Sequence, residues 1–325
     1  CMTPPPRTVA KAVADFYARP PACPQRSPTR RALQVDLDVR EARERVRRFL
    51  HAQFSDEIIF TANTTMSINR LALAYRVQPG AVLITDAEHN SNRLPWLRDQ
   101  VAELAWPPGT PFPLDEFRRL LKTGIKLVSL ASESNVTGAR LPLHEVIREA
   151  HAEGALVHLD AAQQVQAGDI DLEEEDADFL SLSFHKAYGP GGLGMIYLPR
   201  QHQRRLEPLM AGGGTVDDHF DRTTVPAEGA ARYELGLQNF AAICALPACI
   251  DFLERFEPTA IAAHFLRLNA LARELLASLP GVRFVDAGSA EAAGHIVNFA
   301  IEGQDPVRLA ELLDQVGDVQ VRAGS

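Results

Sequence analysis

Short, nearly continuous apolar runs alternate with amphipathic stretches along the chain, and this alternation restricts the fold more than any other feature of the sequence. The runs are EIIF (57–60), AVLIT (81–85), KLVSLA (126–131), ALVHLD (155–160), DFLSLS (178–183) and GMIYL (194–198), with helical patterns starting at Thr64, Ser91 and Leu143 between them. Strands that are apolar on both faces predict an α/β fold, a mostly parallel sheet flanked by helices on both sides. Ligands bind such a sheet beyond the carboxyl ends of its strands, so the polar residues that follow each run carry the chemistry.

At 325 residues the chain exceeds what one core usually serves. We expect a large domain over 1–240, with segment 1–34 packing against a smaller one, and a helical connection plus a small α/β unit over 241–325. Helical spacing is expected over 35–52 and from Asn239 to about Ser278, followed by strands at VRFV, HIVNFAI and VQVR and a helix over 306–316. The small unit reads as truncated, since the sequence stops in a loop at Ser325, and the whole protein is expected to continue at both ends. Hydrophobic residues at 46% and charged residues at 23% fit an ordinary globular chain. A net charge of −9 and a pI near 5.6 argue against a nucleic-acid partner, which needs a basic face. The arginines between Arg40 and Arg48 alternate with Glu41 and Glu44 and read as a solvated helix face. No apolar stretch reaches membrane-span length and no leader opens the sequence, so a cytoplasmic location without a membrane partner is expected. Cys1, Cys23, Cys244 and Cys249 have neither CxxC nor zinc spacing, which predicts no disulfide framework and no metal site; Cys244 and Cys249 read as small buried thiols in a helix.

SLSFHKAYGPGGLG (181–194) ends a strand and runs through Ser183, His185 and Lys186 into a glycine-rich loop. A lysine so placed can be desolvated until its neutral amine attacks an aldehyde; read alone, it is a surface lysine after a strand. VHLDAAQQV (157–165) puts Asp160 at the end of an apolar strand, a costly position unless a positive group meets it. A protonated pyridine nitrogen is one such group; a metal shared with His158 would lack a third ligand nearby. FTANTTMSINRLA (60–72) carries Thr64 and Thr65 in the first turn of a helix, where hydroxyls and free N–H groups suit a phosphate, although Asn-Thr-Thr is also an ordinary helix cap. TDAEHNSNRLPW (85–96) places His89 just past a strand, able to stack on a planar ring or move protons near neutral pH, or simply to sit in a loop. SLASESNVTGARLPL (129–143) offers Asn135 either as a donor to an anionic oxygen or as a turn former ahead of Gly138. Gly189, Gly191 and Gly194 spell GxGxxG, yet a strand follows them where a dinucleotide fingerprint needs a helix.

In this order, NTT with INRLA, EHNSNRLPW, SNVTG, HLDAAQ, SFHKAYGPGGLG and the closing VRAGS resemble the class V aminotransferases of fold type I, and within them the cysteine desulfurase and selenocysteine lyase branch. The resemblance runs from the first residues to the last. It implies pyridoxal 5'-phosphate (PLP) as cofactor, held by Lys186 as a Schiff base, with Asp160 on the pyridine nitrogen and His89 stacked on the ring as a second catalytic residue. It places Gln163 near the phenolic oxygen, Thr64, Thr65, Ser183 and His185 around the phosphate, Asn135 near the cofactor or the substrate carboxylate, and Arg322 at the substrate. It further implies a homodimer, a sulfur-acceptor protein as a partner, and conversion of L-cysteine to L-alanine, with sulfur passed to an enzyme cysteine beyond Ser325. The same family also contains C–S lyases, aminotransferases and epimerases, which stand as the alternative; a non-catalytic scaffold would have no need of Lys186, Asp160, His89 and Gln163 together. One motif departs from the family. Its glutamate-x-glycine-threonine-proline-asparagine reads here Glu234-Leu235-Gly236-Leu237-Gln238-Asn239, and Leu237 cannot give the hydrogen bond that the threonine extends to the neighbouring subunit's phosphate.

Overall fold

The computed structural model of the chain describes residues 2–22, 24, 27–75, 81–97, 101–206, 210, 212–220, 223–285 and 294–324. Cys1, Cys23 and Ser325 lie outside them. Its elements run α1 (Arg7–Tyr17), α2 (Arg30–Phe49), β1 (Ile58–Thr61), α3 (Thr64–Tyr75), β2 (Ala81–Thr85), α4 (Asn90–Arg93), β3 (Val101–Leu104), α5 (Leu114–Leu121), β4 (Ile125–Ala131), α6 (Leu143–Ala152), β5 (Leu156–Asp160), α7 (Leu172–Glu175), β6 (Phe179–Ser183), β7 (Gly194–Tyr197), α8 (Arg200–Gln203), β8 (Val216–Phe220) and β9 (Thr223–Pro226). They continue through α9 (Phe240–Cys244), α10 (Leu246–Leu253), α11 (Pro258–Ala277), β10 (Val282–Phe284), β11 (Phe299–Ile301) and α12 (Pro306–Gly317).

Each of the six apolar runs forms a strand, and with β3 they make one seven-stranded sheet of order β1-β7-β6-β5-β4-β2-β3. β3, β2, β4, β5 and β6 pair in parallel, while β7 runs antiparallel to both β1 and β6. The carboxyl ends of β1, β2, β4, β5 and β6 therefore share one edge. β1, β5 and β6 are buried almost throughout because helices cover both faces. On one face Val46, Phe117, Val146 and Ile250 close the core; on the other Ile68, Leu71 and Trp96 do so. Each fully buried side chain of this size contributes about 1.5–3 kcal/mol relative to exposure.

Other expectations need correction. The stretch 239–278 is helical but in three pieces, α9, α10 and α11, with Pro247 in the first turn of α10 and Pro258 opening α11. Proline lacks the N–H that a continuing helix would use, so each marks a new start. VQVR (319–322) is not a strand: it follows α12 as irregular chain, with Val319 and Val321 exposed, and β10 and β11 pair with each other alone among the described residues. The pattern 35–52 belongs to α2, which begins earlier because the Thr29 hydroxyl accepts from the Ala32 N–H and caps it. Cys249 is buried as expected, and Cys244 is half-buried. No helix among the described residues is long and apolar enough to cross a membrane.

A buried ion pair ties the outer helix layer to the sheet. Arg43 of α2 grips both carboxylate oxygens of Glu234, at 2.7 and 2.8 Å, and also donates to the Ile58 carbonyl. The same carboxylate accepts the Phe60 N–H at 2.7 Å. Glu234, first residue of the divergent motif, is thus a structural anchor for β1.

Candidate active site

Register brings the strand ends together. Ala131 of β4 lies opposite Asp160 of β5, Asp160 opposite Ser181 of β6, and Ser183 opposite Gly194 of β7. Lys186 follows β6 in a tight turn that Gly189 permits: its N–H returns to the Phe184 carbonyl at 2.8 Å, and a Cβ there would sit 2.9 Å from the Phe184 Cβ and carbonyl oxygen. Thr3 straps the same turn. Its N–H and hydroxyl donate to the His185 carbonyl at 2.9 and 3.1 Å, and its hydroxyl oxygen accepts the Tyr188 N–H at 2.6 Å.

Lys186, Asp160, His89 and Arg322 form one electrostatic cluster. Burial pushes the Asp160 carboxyl up, against the opposing pull of the Ala162 N–H, Lys186 and His89. Burial pulls the Lys186 amine down; Asp160 opposes that and Arg322 reinforces it. Burial likewise lowers the His89 imidazole, with Asp160 opposing and Lys186 and Arg322 adding to the shift. Its Nδ1 accepts the Ser91 N–H at 3.1 Å, which leaves the proton of the neutral ring on Nε2. Arg322 is itself exposed, so its charge acts from the mouth of the cluster.

A second group of hydroxyls surrounds the start of α3. The Thr64 N–H and hydroxyl both meet the Ser183 hydroxyl, at 2.7 and 2.6 Å, and the Thr65 hydroxyl meets that of Ser91 at 2.7 Å. Gly194 makes this approach possible: a Cβ there would lie 2.6 Å from the Leu182 carbonyl and 2.7 Å from the Asn63 Cα. The His185 ring is half-buried, and burial and Lys186 lower its pKa. Asn135 sits half-buried in a turn where the Gly138 N–H reaches the Ser134 carbonyl and Gly138 adopts φ +71°. Gln163 is also half-buried, and its Oε1 accepts from Gln166 Nε2 at 3.0 Å.

Beneath the cluster lies a buried polar chain that sequence reasoning missed. Glu88 accepts from the Thr85 hydroxyl (2.8 Å), the Asn92 amide (2.7 Å) and the Ala131 N–H (2.9 Å), and burial lifts its pKa to about 7. The Ser129 hydroxyl donates to Asn92 Oδ1 at 2.7 Å and so accepts from His158 Nδ1 at 2.8 Å; His158 Nε2 then accepts from the Ser181 hydroxyl at 2.9 Å. Burial holds His158 neutral, its pKa lowered to about 3. Its nitrogens serve the lattice of strands β4, β5 and β6. The signals in the sequence were His158 in its apolar strand and Glu88 beside His89 after another.

The donor set fits one kind of ligand. A depressed amine suits an aldehyde, a buried carboxyl under-supplied with positive charge suits a cationic ring nitrogen, an imidazole suits a ring face, and hydroxyls at a helix start suit a phosphate. These are the functional groups of PLP.

Comparison with known proteins agrees. The profile of the family described as "Aminotransferase class-V" matches residues 2–325. A "Probable cysteine desulfurase" of Chlamydia muridarum is 32% identical over 328 residues, 98% of this chain and 82% of that protein. Another of the same name from Halalkalibacterium halodurans is 34% identical over 333 residues, 98% of this chain and 80% of that protein. Among solved structures, the apo cysteine desulfurase of Thermococcus onnurineus NA1 superposes with a TM-score of 0.90 at 27% identity, covering 99% of this chain and 82% of that one. The cysteine desulfurase CsdA of Escherichia coli gives 0.88 at 28% identity, covering 98% and 82%.

Proposed function

The chain belongs to the class V aminotransferase family, and from that premise we propose that it is a PLP-dependent cysteine desulfurase, converting L-cysteine to L-alanine and passing the sulfur to an enzyme thiol. The observation that carries the reading is the desolvated Lys186 amine held against the charge of the buried Asp160 at the carboxyl edge of the sheet. When bound, PLP supplies an aldehyde that takes up the amino acid and a cationic ring that stores the electron pair released at Cα.

The chain's own residues do the rest. Lys186 Nζ, its proton affinity lowered by burial, holds the cofactor and moves the proton at the substrate Cα. Asp160 keeps the ring nitrogen protonated by pairing with it, and His89 covers the ring face with Nε2–H available as a proton donor. Thr64, Thr65, Ser183 and His185 orient the phosphate, Gln163 the ring oxygen, and Asn135 and Arg322 the substrate carboxylate. The sulfur acceptor is neither Cys244 nor Cys249. Burial pushes both thiols up to about 12, and Cys249 donates to the Ala187 carbonyl at 3.0 Å, so neither supplies the thiolate that attacks sulfur. In this reading residues 1–240 form the cofactor domain and 241–325 the connection and small unit; the protein works as a cytoplasmic homodimer and hands sulfur to an acceptor protein.

A second reading, a C–S lyase, aminotransferase or epimerase of the same family, draws on Leu237, which is 84% exposed where the family places a phosphate-binding threonine. Full-length protein incubated with PLP and L-cysteine separates the two: alanine and transferable sulfur in equal amounts are expected. Pyruvate in place of alanine, or turnover without sulfur transfer, overturns the desulfurase reading.

A further inference from the structure

Gln163 does not stand alone. Glu133, buried at 3% exposure, lies after β4, and its Oε1 is 2.7 Å from His295 Nδ1, a close contact too bent to form an aligned hydrogen bond. His295 Nε2 is 3.0 Å from Gln166 Nε2, which also donates to Gln163 Oε1 at 3.0 Å. A carboxylate only accepts, and a lone pair on Nδ1 at 2.7 Å from it would be repelled, so the close contact orders the chain from that end. His295 carries its proton on Nδ1, toward Glu133, and Nε2 accepts from Gln166. The two hydrogens of the Gln166 amide are then both committed, one to His295 and one to the Gln163 oxygen. What Gln163 has left to present is its NH2 group.

The segment around His295 is built to hold this arrangement. Gly294, at φ +54°, lets the backbone come so close that a Cβ would meet Glu133 Oε1 at 2.7 Å. Asn269 of α11, 2% exposed, clamps the segment from both sides by donating to the Gly294 carbonyl (2.9 Å) and the Ile296 carbonyl (2.8 Å). Arg140 Nε lies 3.3 Å from the other Glu133 oxygen, and Asp169 stands 3.9 Å from the same guanidinium.

We infer that His295, acting through Gln166, is a positioning residue that fixes the Gln163 amide with its NH2, and not its carbonyl, toward the cofactor's ring oxygen. This rests on the PLP reading above only for the identity of what Gln163 faces. A donor at that oxygen stabilises its negative charge, and without the Gln166 anchor the Gln163 amide is free to turn its carbonyl inward. The device also ties α11 and the segment before β11 to the cofactor domain, so the placement of one is read at the other.

Two measurements test it. In apo protein with 15N-labelled histidine, His295 is expected to carry its proton on Nδ1 at pH 7.5; a proton on Nε2 overturns the relay without reference to PLP. In full-length, PLP-loaded protein, the pH midpoint of the visible absorbance is expected to rise by about one unit in His295→Leu and in Gln166→Leu. His295→Gln, whose amide can donate to Glu133 and accept from Gln166, should stay within about 0.3 unit of the parent. Equal midpoints in all four proteins overturn the inference while the parent's absorbance band still upholds PLP binding. A parent that develops no visible band with PLP instead defeats the functional reading, and with it the assignment of what Gln163 faces.

Discussion

At the scale of single residues, the site works by withholding water from charges. Lys186→Ala should remove the visible absorbance that PLP acquires on the protein and lower turnover by about 10³-fold or more; a retained band, or turnover near that of the parent, would reject Lys186 as the attachment point. Asp160→Asn should cut turnover by about 10²-fold with an unchanged melting temperature, because it removes a charge that is poorly compensated in the empty fold. A loss of folding in proportion to the loss of turnover would make Asp160 structural. Glu88 gives a pH signature. Its folded pKa of about 7 exceeds the ordinary 4.5, so the native state holds a proton that the unfolded chain releases. The stability this contributes is complete below pH 4.5 and is lost as pH rises through 7. In Glu88→Gln the amide oxygen can accept from Asn92 and Ala131 while its NH2 donates to Thr85. The variant should therefore gain on the parent by on the order of 3 kcal/mol between pH 4.5 and 8, read from denaturant midpoints; a difference independent of pH would contradict the shift.

At the scale of elements, close approach decides the site. Gly194→Ala would drive a methyl into the Leu182 carbonyl and the Asn63 backbone, none of which can rotate away. We expect a loss of about 1–3 kcal/mol and weaker PLP retention as the Thr64–Ser183 contact opens; an unaltered melting temperature and PLP affinity would show that the strand can yield. This also marks what the sequence could reveal. The apolar runs and the glycine loop after Lys186 are local patterns, so the strands, the absence of a dinucleotide fingerprint and the placing of Lys186 after β6 were readable. The Glu88–Asn92–Ser129–His158–Ser181 chain was not, since it joins three strands across separations that leave no periodic trace; a lone buried His158 looks the same whether it binds serines or a metal. VQVR failed for the converse reason. Alternation permits a strand, but pairing makes one, and among the described residues neither β10 nor β11 pairs with it. β3 (VAEL) lies at the sheet edge, and four residues interrupted by the exposed Glu103 carry too weak an apolar signal to stand out.

At the scale of the whole molecule, distant segments hold one another. Breaking the Arg43–Glu234 pair with Glu234→Ala leaves a guanidinium that is 13% exposed without its carboxylate, and the Phe60 N–H without its acceptor. That should cost about 3–5 kcal/mol, checked by chemical denaturation; a cost below about 1 kcal/mol would mean that water replaces the carboxylate. The Thr3 strap spans still more of the chain, binding His185 across 182 positions. On a ribosome, that contact has to wait until His185, 182 positions after Thr3, has emerged, so the segment around Thr3 lacks this anchor while the sheet assembles and the lysine turn is stitched shut late. Pulse-labelling of backbone amides during refolding should find Tyr188 among the last to gain protection.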